Sequence, residues 1–292
     1  MALFGRVITA MVTPFRADGS LDPDEAQRLA RHLVDNGSEG LVVAGSTGEG
    51  ATLTDEEKST LFRAVVDAVH GDAKVIAGTG TNATEHSVEL TRMAEKAGVD
   101  AALAVTPYYN RPPQDALLHH FRTIADASNL PVLLYDIPAR SAIKIDVETV
   151  VRAAEHANIV GIKDAGSDLS ASTLLAASVP DGFEIYSGND AETLGLQAIG
   201  AVGVISVQSH VMGKLLLEQF EAFERADITR AREIQFLQRR TQSALLTNNP
   251  IPIKAAMKIL GWSVGEPRPP LRPANADEEE AIRQALSELG AL

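Results

Sequence analysis

The feature that most constrains this sequence is the repeated alternation of short β-branched or aliphatic runs with segments of helical periodicity. Strands that alternate with helices imply parallel pairing through right-handed crossovers. Eight such runs favour a closed (β/α)8 TIM barrel, with a doubly wound open sheet as the structural alternative. The predicted strands span residues 7–12, 40–44, 74–77, 101–106, 132–135, 159–163, 183–187 and 202–207.

After the eighth run the pattern changes to helices alone. We therefore predict a catalytic barrel at residues 1–226 and a C-terminal helical extension at residues 227–292. A chain of 292 residues, 45% of them hydrophobic, accommodates a barrel of roughly 250 residues with an extension. The helices after the eighth run are predicted at 212–225, 228–246, 253–260 and 277–289, and the last three of them form the extension.

Composition excludes several classes of function. The formal net charge of -13 repels nucleic-acid backbones and anionic membranes, so an anionic substrate must be met by local cations. The chain has no Cys, which excludes disulfides, zinc thiolate sites and iron–sulfur clusters. The first residues resemble no signal peptide, and no apolar run reaches the length of a membrane span, so we expect a cytoplasmic protein.

Lys163 ends the sixth apolar run, where a barrel builds its active site. Strict alternation places Lys163 on one face with Ile159 and Gly161, and Val160 with Ile162 on the other. If the Val/Ile face meets the outer helices, Lys163 points into the barrel above the space that Gly161 leaves. Because a buried ammonium is costly to desolvate, the neutral, nucleophilic amine becomes accessible. The alternative is an ion pair with Asp164, and position alone leaves both open.

Tyr135 ends the fifth run and shares a face with Leu133. A phenol beside a lysine can act as a general acid and base, although a tyrosine of the core is the alternative. Arg140 follows in the next loop, where it can bind a carboxylate through two hydrogen bonds or remain a solvated loop residue.

The second run leads into a glycine-rich turn at residues 45–50 that carries Ser46 and Thr47. Its amides and hydroxyls can bind a carboxylate, or the turn can serve local loop geometry alone. It lacks the lysine and glycine spacing of nucleotide-binding loops. Tyr109, in a proline-rich loop after the fourth run, can reach the site or a subunit contact, with structural packing as the alternative. No His has metal-ligand spacing and no nucleophile-elbow sequence occurs, which disfavours a metal aldolase and a serine hydrolase.

Taken together, four segments resemble the signatures of the dihydrodipicolinate synthase / N-acetylneuraminate lyase family. The resemblance covers nearly the whole chain and implies a class I, Schiff-base-forming lyase in a (β/α)8 barrel with a C-terminal helical extension. It also implies a homotetramer that needs no cofactor and no metal. The segments are Gly-Ser-Thr-Gly-Glu at 45–49, Thr-Pro-Tyr-Tyr-Asn-Arg-Pro at 106–112, Tyr-Asp-Ile-Pro-Ala-Arg-Ser at 135–141 and Gly-Ile-Lys-Asp at 161–164.

The resemblance implies a role for each matching residue. Two would carry the chemistry, two would relay protons, and three would bind the substrates. Lys163 would form the iminium, and Tyr135 would donate and accept the proton beside it. Ser46 and Tyr109 would form the relay, with Tyr109 reaching into a neighbouring subunit. Thr47 and the main chain of Ile205 would bind the keto acid, and Arg140 would bind the carboxylate of the second substrate.

Within the family, the chain is most similar to the synthase branch. That branch condenses pyruvate with L-aspartate 4-semialdehyde to 4-hydroxy-tetrahydrodipicolinate in lysine and diaminopimelate biosynthesis. Ser46, where synthases usually carry Thr, keeps open another pyruvate-dependent aldolase that cleaves N-acetylneuraminate or a 2-keto-3-deoxy sugar acid. Arg140 favours the synthase, because a polyhydroxylated acceptor does not need a guanidinium there. A third hypothesis is a non-catalytic barrel that only binds a keto acid. The presence together of Lys163, Tyr135, Thr47 and Arg140 disfavours it.

Lysine-inhibited family members have an effector pocket between subunits. At the matching positions Lys58 would repel the ammonium group of lysine, and His86 stands where a carboxylate is usual. We therefore predict weak or absent feedback by lysine. The matching positions are Gly50, Asp55, Lys58, Asn82, His86 and Tyr108.

Overall fold

Eight parallel strands close into one barrel in chain order in the computed structural model, which describes residues 2–292. The predicted (β/α)8 barrel is confirmed, and the doubly wound alternative is wrong. The strand ends differ only slightly from the predicted ones. The strands are β1 (Val7–Ala10), β2 (Gly40–Val43), β3 (Lys74–Gly78), β4 (Ala101–Val105), β5 (Val132–Asp136), β6 (Ile159–Asp164), β7 (Glu184–Ser187) and β8 (Gly203–Ser206).

Helices follow the strands and cover the barrel. Several begin at side-chain caps, as at Thr54, where Thr54 and Glu57 form a reciprocal capping box. The helices are α1 (Pro23–Asp35), α2 (Asp55–Val69), α3 (Thr84–Ala97), α4 (Gln114–Ala125), α5 (Pro138–Ser141), α6 (Val147–Ala153), α7 (Leu169–Ala176), α8 (Thr193–Ala198), α9 (Ser209–Glu224), α10 (Ile228–Leu246), α11 (Ile251–Ile259) and α12 (Ala276–Glu288), with a one-turn 3-10 helix at Asp190–Glu192.

The four helices predicted after the last strand are all present as α9 to α12. Helix α10 packs against α9 and α12, and α11 contacts α10 and α12. The α10–α11 connection passes beside the turn that follows β2, because Asn249 hydrogen-bonds Thr47. The last part of the chain therefore reaches the end of the barrel where the site was predicted. No helix within residues 2–292 is both long and apolar enough to cross a membrane.

Strand β6 departs from strict alternation at its start. Its pairing with β5 shifts register, so that Val132 faces Ile159 while Leu133 faces Gly161. Val160 is the extra residue, and Ile159 packs in the same apolar cluster as Ile162. The prediction that Ile159 shares a face with Gly161 and Lys163 is therefore wrong. A one-residue bulge moves every residue before it to the other face of the sheet.

Candidate active site

Lys163 and Tyr135 lie side by side on neighbouring strands. They are register partners of β6 and β5, and the Lys163 Nζ lies 4.2 Å from the centroid of the Tyr135 ring. Both side chains are buried, with 4% and 5% exposure. Ile162, between Gly161 and Lys163, packs with residues of the outer helices such as Phe121. The structure therefore brings together the residues predicted as nucleophile and proton donor.

Two glycines allow the close packing around Lys163. A Cβ atom on Gly161 would lie 2.4 Å from the carbonyl oxygen of Glu184 on β7. A Cβ atom on Gly188, just after β7, would lie 3.0 Å from Cγ of Lys163. Gly161 therefore permits the close approach of β6 to β7, and Gly188 leaves room for the Lys163 side chain.

The proposed alternative of an ion pair between Lys163 and Asp164 is not observed. Asp164 instead accepts hydrogen bonds from the Ser172 hydroxyl at 2.5 Å and from the Gly166 amide at 2.9 Å. Within residues 2–292 the amine of Lys163 forms neither a salt bridge nor a hydrogen bond, and it lies over the face of the Tyr135 ring. A buried lysine without a partner is unusual, because burying an uncompensated charge is costly.

Two acids near the site are engaged with the protein backbone. Asp136 accepts a hydrogen bond from the Ile145 amide, and burial, together with the charge of Asp164, raises the pKa of Asp136 to about 7. Asp190 is fully buried and accepts from the amides of Val207 and Gln208 just after β8. Burial raises the pKa of Asp190, although these hydrogen bonds and the charge of Lys163 oppose the shift. Both acids therefore hold strand ends in place.

The turn after β2 carries Ser46 and Thr47 on adjacent positions. Thr47 is buried and its Oγ1 accepts a hydrogen bond of 2.8 Å from the Nδ2 of Asn249, whereas Ser46 is exposed. The turn closes with a bond from the Gly50 amide to the Gly45 carbonyl. The neighbouring hydroxyls of Ser46 and Thr47 are therefore held on a short, hydrogen-bonded turn.

Behind this turn lies a buried ion pair. Glu49 accepts a hydrogen bond of 2.8 Å from the Nζ of Lys254, and its second carboxylate oxygen accepts from the Arg268 amide at 2.7 Å. Lys254 also donates to the Glu266 carbonyl and lies over the Phe15 ring. Burial lowers the pKa of Lys254, and Glu49 opposes this shift. The residues of the C-terminal part therefore anchor the turn that carries Thr47.

Arg140 occupies the short helix α5, directly after β5. Its guanidinium donates through Nη2 to the Asn249 carbonyl oxygen at 2.8 Å, and no carboxylate of residues 2–292 forms a salt bridge with it. A guanidinium carries five N–H groups, so most of its donors remain available. The position therefore suits recognition of an anionic substrate.

A cavity of about 350 Å³ opens beside these residues. Ser46, Tyr135 and Arg140 all line it. Tyr135, one of the lining residues, is also the residue over whose ring the amine of Lys163 lies. The cavity extends outward over all the positions that match the effector pocket, which are Gly50, Asp55, Lys58, Asn82, His86 and Tyr108.

Four of the predicted residues are not among those that line this cavity: Lys163, Thr47, Tyr109 and Ile205. Tyr109 is 89% exposed, with a φ of 72° that is strained for a bulky residue. Ile205 is buried on β8, where it faces Ile8 of β1. Its predicted contribution is through the main chain, so the burial of its side chain is compatible with that prediction.

Sequence reasoning missed Asn249, Glu49 and Lys254. The dipeptide Asn249-Pro250 is a turn signal between two helices, and Lys254 is a lone cation in the apolar run Ile-Pro-Ile-Lys-Ala-Ala-Met. Both signals were present in the sequence. Neither indicates that the partner lies more than 200 residues away in the chain.

Known proteins match the chain over almost its whole length. The family model described as the dihydrodipicolinate synthetase family matches residues 3–289. Proteins named 4-hydroxy-tetrahydrodipicolinate synthase include one from Synechococcus elongatus, 49% identical over 98% of this chain and 97% of its own. Another, from Acidothermus cellulolyticus, is 50% identical over 99% of this chain and 94% of its own.

Solved structures agree with these matches. A dihydrodipicolinate synthase from Bacillus anthracis is 43% identical with a TM-score of 0.96, and covers 98% of this chain and 99% of its own. A synthase from Cyanidioschyzon merolae, solved with lysine bound, is 44% identical with a TM-score of 0.97 over 100% of both chains. From the barrel, the site and these matches, the chain belongs to the dihydrodipicolinate synthetase family.

Proposed function

We propose that this chain is a 4-hydroxy-tetrahydrodipicolinate synthase that condenses pyruvate with L-aspartate 4-semialdehyde through a Schiff base on Lys163. The observation that carries the proposal is the buried amine of Lys163, which has no acid partner within residues 2–292 and lies against Tyr135. An adjoining cavity is lined by Arg140, whose guanidinium forms no salt bridge in the described part of the chain. The names of relatives that are about half identical over nearly the full chain support this reaction.

The first stage forms the imine. The neutral amine of Lys163 attacks C2 of pyruvate, while Thr47 and the amides of its turn hold the carboxylate and the main chain of Ile205 contacts the keto acid. Tyr135 donates the proton with which the C2 hydroxyl leaves as water, and a protonated imine remains. The imine withdraws electrons from C3, so no cofactor is needed to stabilise the carbanion.

The second stage forms the carbon–carbon bond. Loss of a C3 proton gives an enamine, which adds to the aldehyde carbon of L-aspartate 4-semialdehyde. Arg140 binds the carboxylate of this substrate and so orients the aldehyde toward the enamine. The substrate amine then attacks C2 and displaces Lys163, which closes the ring and restores the free enzyme.

We propose that Ser46 and Tyr109 extend the proton path from Tyr135, and that Tyr109 acts in a neighbouring subunit of a homotetramer. The 89% exposure and strained backbone of Tyr109 support this, because strain at an exposed aromatic residue marks a position with a function. Mixing the inactive variants Tyr109→Phe and Lys163→Met, with subunit exchange, should restore part of the activity. No recovery in verified mixed oligomers would contradict a Tyr109 contributed across an interface.

We also propose the domain division at residues 226 and 227 and a cytoplasmic location. Helix α10 begins at Ile228 behind its Asp227 cap, which supports the division. The lack of Cys fits a reducing compartment.

The reaction is tested by comparing two assays on one preparation. Pyruvate with L-aspartate 4-semialdehyde should be consumed in equal amounts, whereas N-acetylneuraminate and 2-keto-3-deoxy sugar acids should be cleaved slowly or not at all. Ser46 is the one residue that favours the lyase alternative. Preferential cleavage of a sugar acid would therefore replace the synthase assignment with that alternative.

A further inference from the structure

Asn249 joins two residues that bind different substrates in the proposed reaction. It lies between α10 and α11 and is 9% exposed. Its side-chain Nδ2 donates to Thr47 Oγ1 at 2.8 Å, and its backbone carbonyl accepts from Arg140 Nη2 at 2.8 Å. One residue of the C-terminal part thus contacts both the turn after β2 and the helix after β5.

The direction of the first hydrogen bond determines what Thr47 can do. An amide nitrogen only donates, so Thr47 Oγ1 is the acceptor in this pair. Within residues 2–292 the Thr47 hydroxyl donates to no protein acceptor. Its proton is therefore available to an external acceptor, and the carboxylate of a keto acid is such an acceptor.

The second hydrogen bond limits the orientation of Arg140. One N–H of the guanidinium is occupied by the Asn249 carbonyl, while its charge has no carboxylate partner within residues 2–292. The remaining N–H groups can still form paired hydrogen bonds with a substrate carboxylate. Asn249 thus holds Thr47 and Arg140 in place, while the Thr47 hydroxyl proton and the Arg140 charge stay available to the substrates.

We propose that Asn249 is a positioning residue that sets the distance between the two substrate carboxylates by holding Thr47 and Arg140 together. This inference rests on the proposed function. It assigns the two substrates to different atoms of Asn249: the side chain serves the keto acid through Thr47, and the backbone carbonyl serves the semialdehyde through Arg140.

The turn after β2 is also held by contacts that do not involve Asn249, so a change at Asn249 can test positioning without unfolding the turn. Glu49 is held by Lys254 and by the Arg268 amide, and Thr13 donates to the Gly48 carbonyl at 2.6 Å. These contacts do not involve the Asn249 side chain. A change of that side chain should therefore disturb the orientation of the Thr47 hydroxyl without releasing the turn.

The variant Asn249→Asp tests this assignment. An aspartate accepts the Thr47 hydroxyl proton and adds a negative charge beside the pyruvate carboxylate, but keeps the backbone carbonyl. The KM for pyruvate should rise about tenfold or more, while the KM for the semialdehyde stays within about threefold. The matched control is Asn248→Asp, the same change at an exposed neighbour, which should alter neither KM.

A double-mutant cycle that combines Thr47→Val with a change at Asn249 shows whether Asn249 acts through Thr47. In that background the neutral change Asn249→Ala, which removes only the side-chain hydrogen bond to Thr47, should cause little further rise in the KM for pyruvate. An unchanged KM for pyruvate in the single variant would overturn the proposal. So would an equal loss for both substrates together with a lower thermal midpoint, which indicates a structural role.

Borohydride trapping distinguishes failure of this inference from failure of the function. The wild-type chain must form a pyruvate adduct on Lys163, and its absence would reject the reaction and the role of Asn249 together. If wild type forms the adduct, Asn249→Asp should need about tenfold more pyruvate for half-maximal trapping. Trapping at the wild-type concentration would reject the role of Asn249 alone.

Discussion

Lys163 and Lys254 are both buried lysines near the same end of the barrel, and each has an aromatic ring centroid 4.2 Å from its amine. Lys254 has a carboxylate partner in Glu49 at 2.8 Å and a carbonyl partner in Glu266. Lys163 has neither a salt bridge nor a hydrogen bond within residues 2–292. Burial alone therefore does not distinguish a reactive lysine from a structural one.

The difference lies in what compensates the charge. The ammonium of Lys254 is engaged by Glu49 and by the Glu266 carbonyl, so it is not free to approach a substrate. The amine of Lys163 has no protein acceptor within residues 2–292, so it is free to approach the carbonyl carbon of a keto acid. The contrast predicts separate consequences for the two lysines, one in catalysis and the other in stability.

The largest expected effect is the loss of activity in Lys163→Met. Without the amine no imine forms, and turnover should fall by roughly 10³-fold or more. Removal of an uncompensated buried group should leave the free energy of unfolding unchanged or raise it by about 1 kcal/mol. Steady-state assays and chemical unfolding of the same preparations measure both effects. A strongly destabilised Lys163→Met would show that Lys163 is a structural lysine after all.

Lys254→Met should show the opposite pattern. It leaves the Glu49 carboxylate buried without its main partner, at a cost of about 3–5 kcal/mol in the free energy of unfolding. The double variant Lys254→Met with Glu49→Gln should recover much of this loss, because both charges are then absent. Activity per folded molecule should change far less than in Lys163→Met. A Lys254→Met variant as stable as wild type would contradict the structural role of Lys254.

Tyr135→Phe tests the environment of Lys163. The Tyr135 hydroxyl donates to no protein acceptor within residues 2–292, so its removal should not affect stability. Activity should fall by about 10²-fold because proton transfer during imine formation is lost. The slower step should be imine formation itself, measured by the rate of borohydride trapping with pyruvate. Normal trapping rates would assign the proton transfer to another group.

Asp136→Asn tests whether the buried acid Asp136 contributes to the stability of the fold. The folded-state pKa of Asp136 is about 7, above its ordinary value of 3.8, so the native state binds more protons between these values. Stability should fall as pH rises through this window, by about 4 kcal/mol over the whole window and by about 2–3 kcal/mol of that above pH 5. Asparagine has no such dependence and keeps an acceptor for the Ile145 amide. Thermal midpoints at pH 5 and pH 8.5 should therefore differ less in the variant, and an equal pH dependence would contradict the assignment.

The smallest expected effect concerns the third buried lysine, Lys58. Its nearest acid is Asp55, at 3.7 Å, and Asp55 also contacts His86 at 3.0 Å. A cation on the wall of the outer cavity should repel the ammonium groups of free lysine, so L-lysine should inhibit by no more than about twofold. Lys58→Gln should make inhibition stronger. A clear inhibition curve at low L-lysine concentration in wild type would show that Lys58 does not exclude it.

The sequence was sufficient for the barrel, the direction of Lys163 and its proximity to Tyr135, because these depend on local alternation and on strand order. It was not sufficient for the register shift at Val160, since a bulge is decided by pairing with β5. Asn249 and Lys254 were missed for a similar reason. Their partners lie more than 200 residues earlier in the chain, and no local pattern encodes such contacts.

The most direct test of the account is to reduce the protein with borohydride in the presence of pyruvate and to map the modified peptide by mass spectrometry. We expect one reduced pyruvyl group on Lys163 and none on Lys254 or Lys58, with no modification when pyruvate is omitted. Modification of Lys254, or no pyruvate-dependent modification of Lys163, would contradict the claim that an unpaired buried amine is the nucleophile.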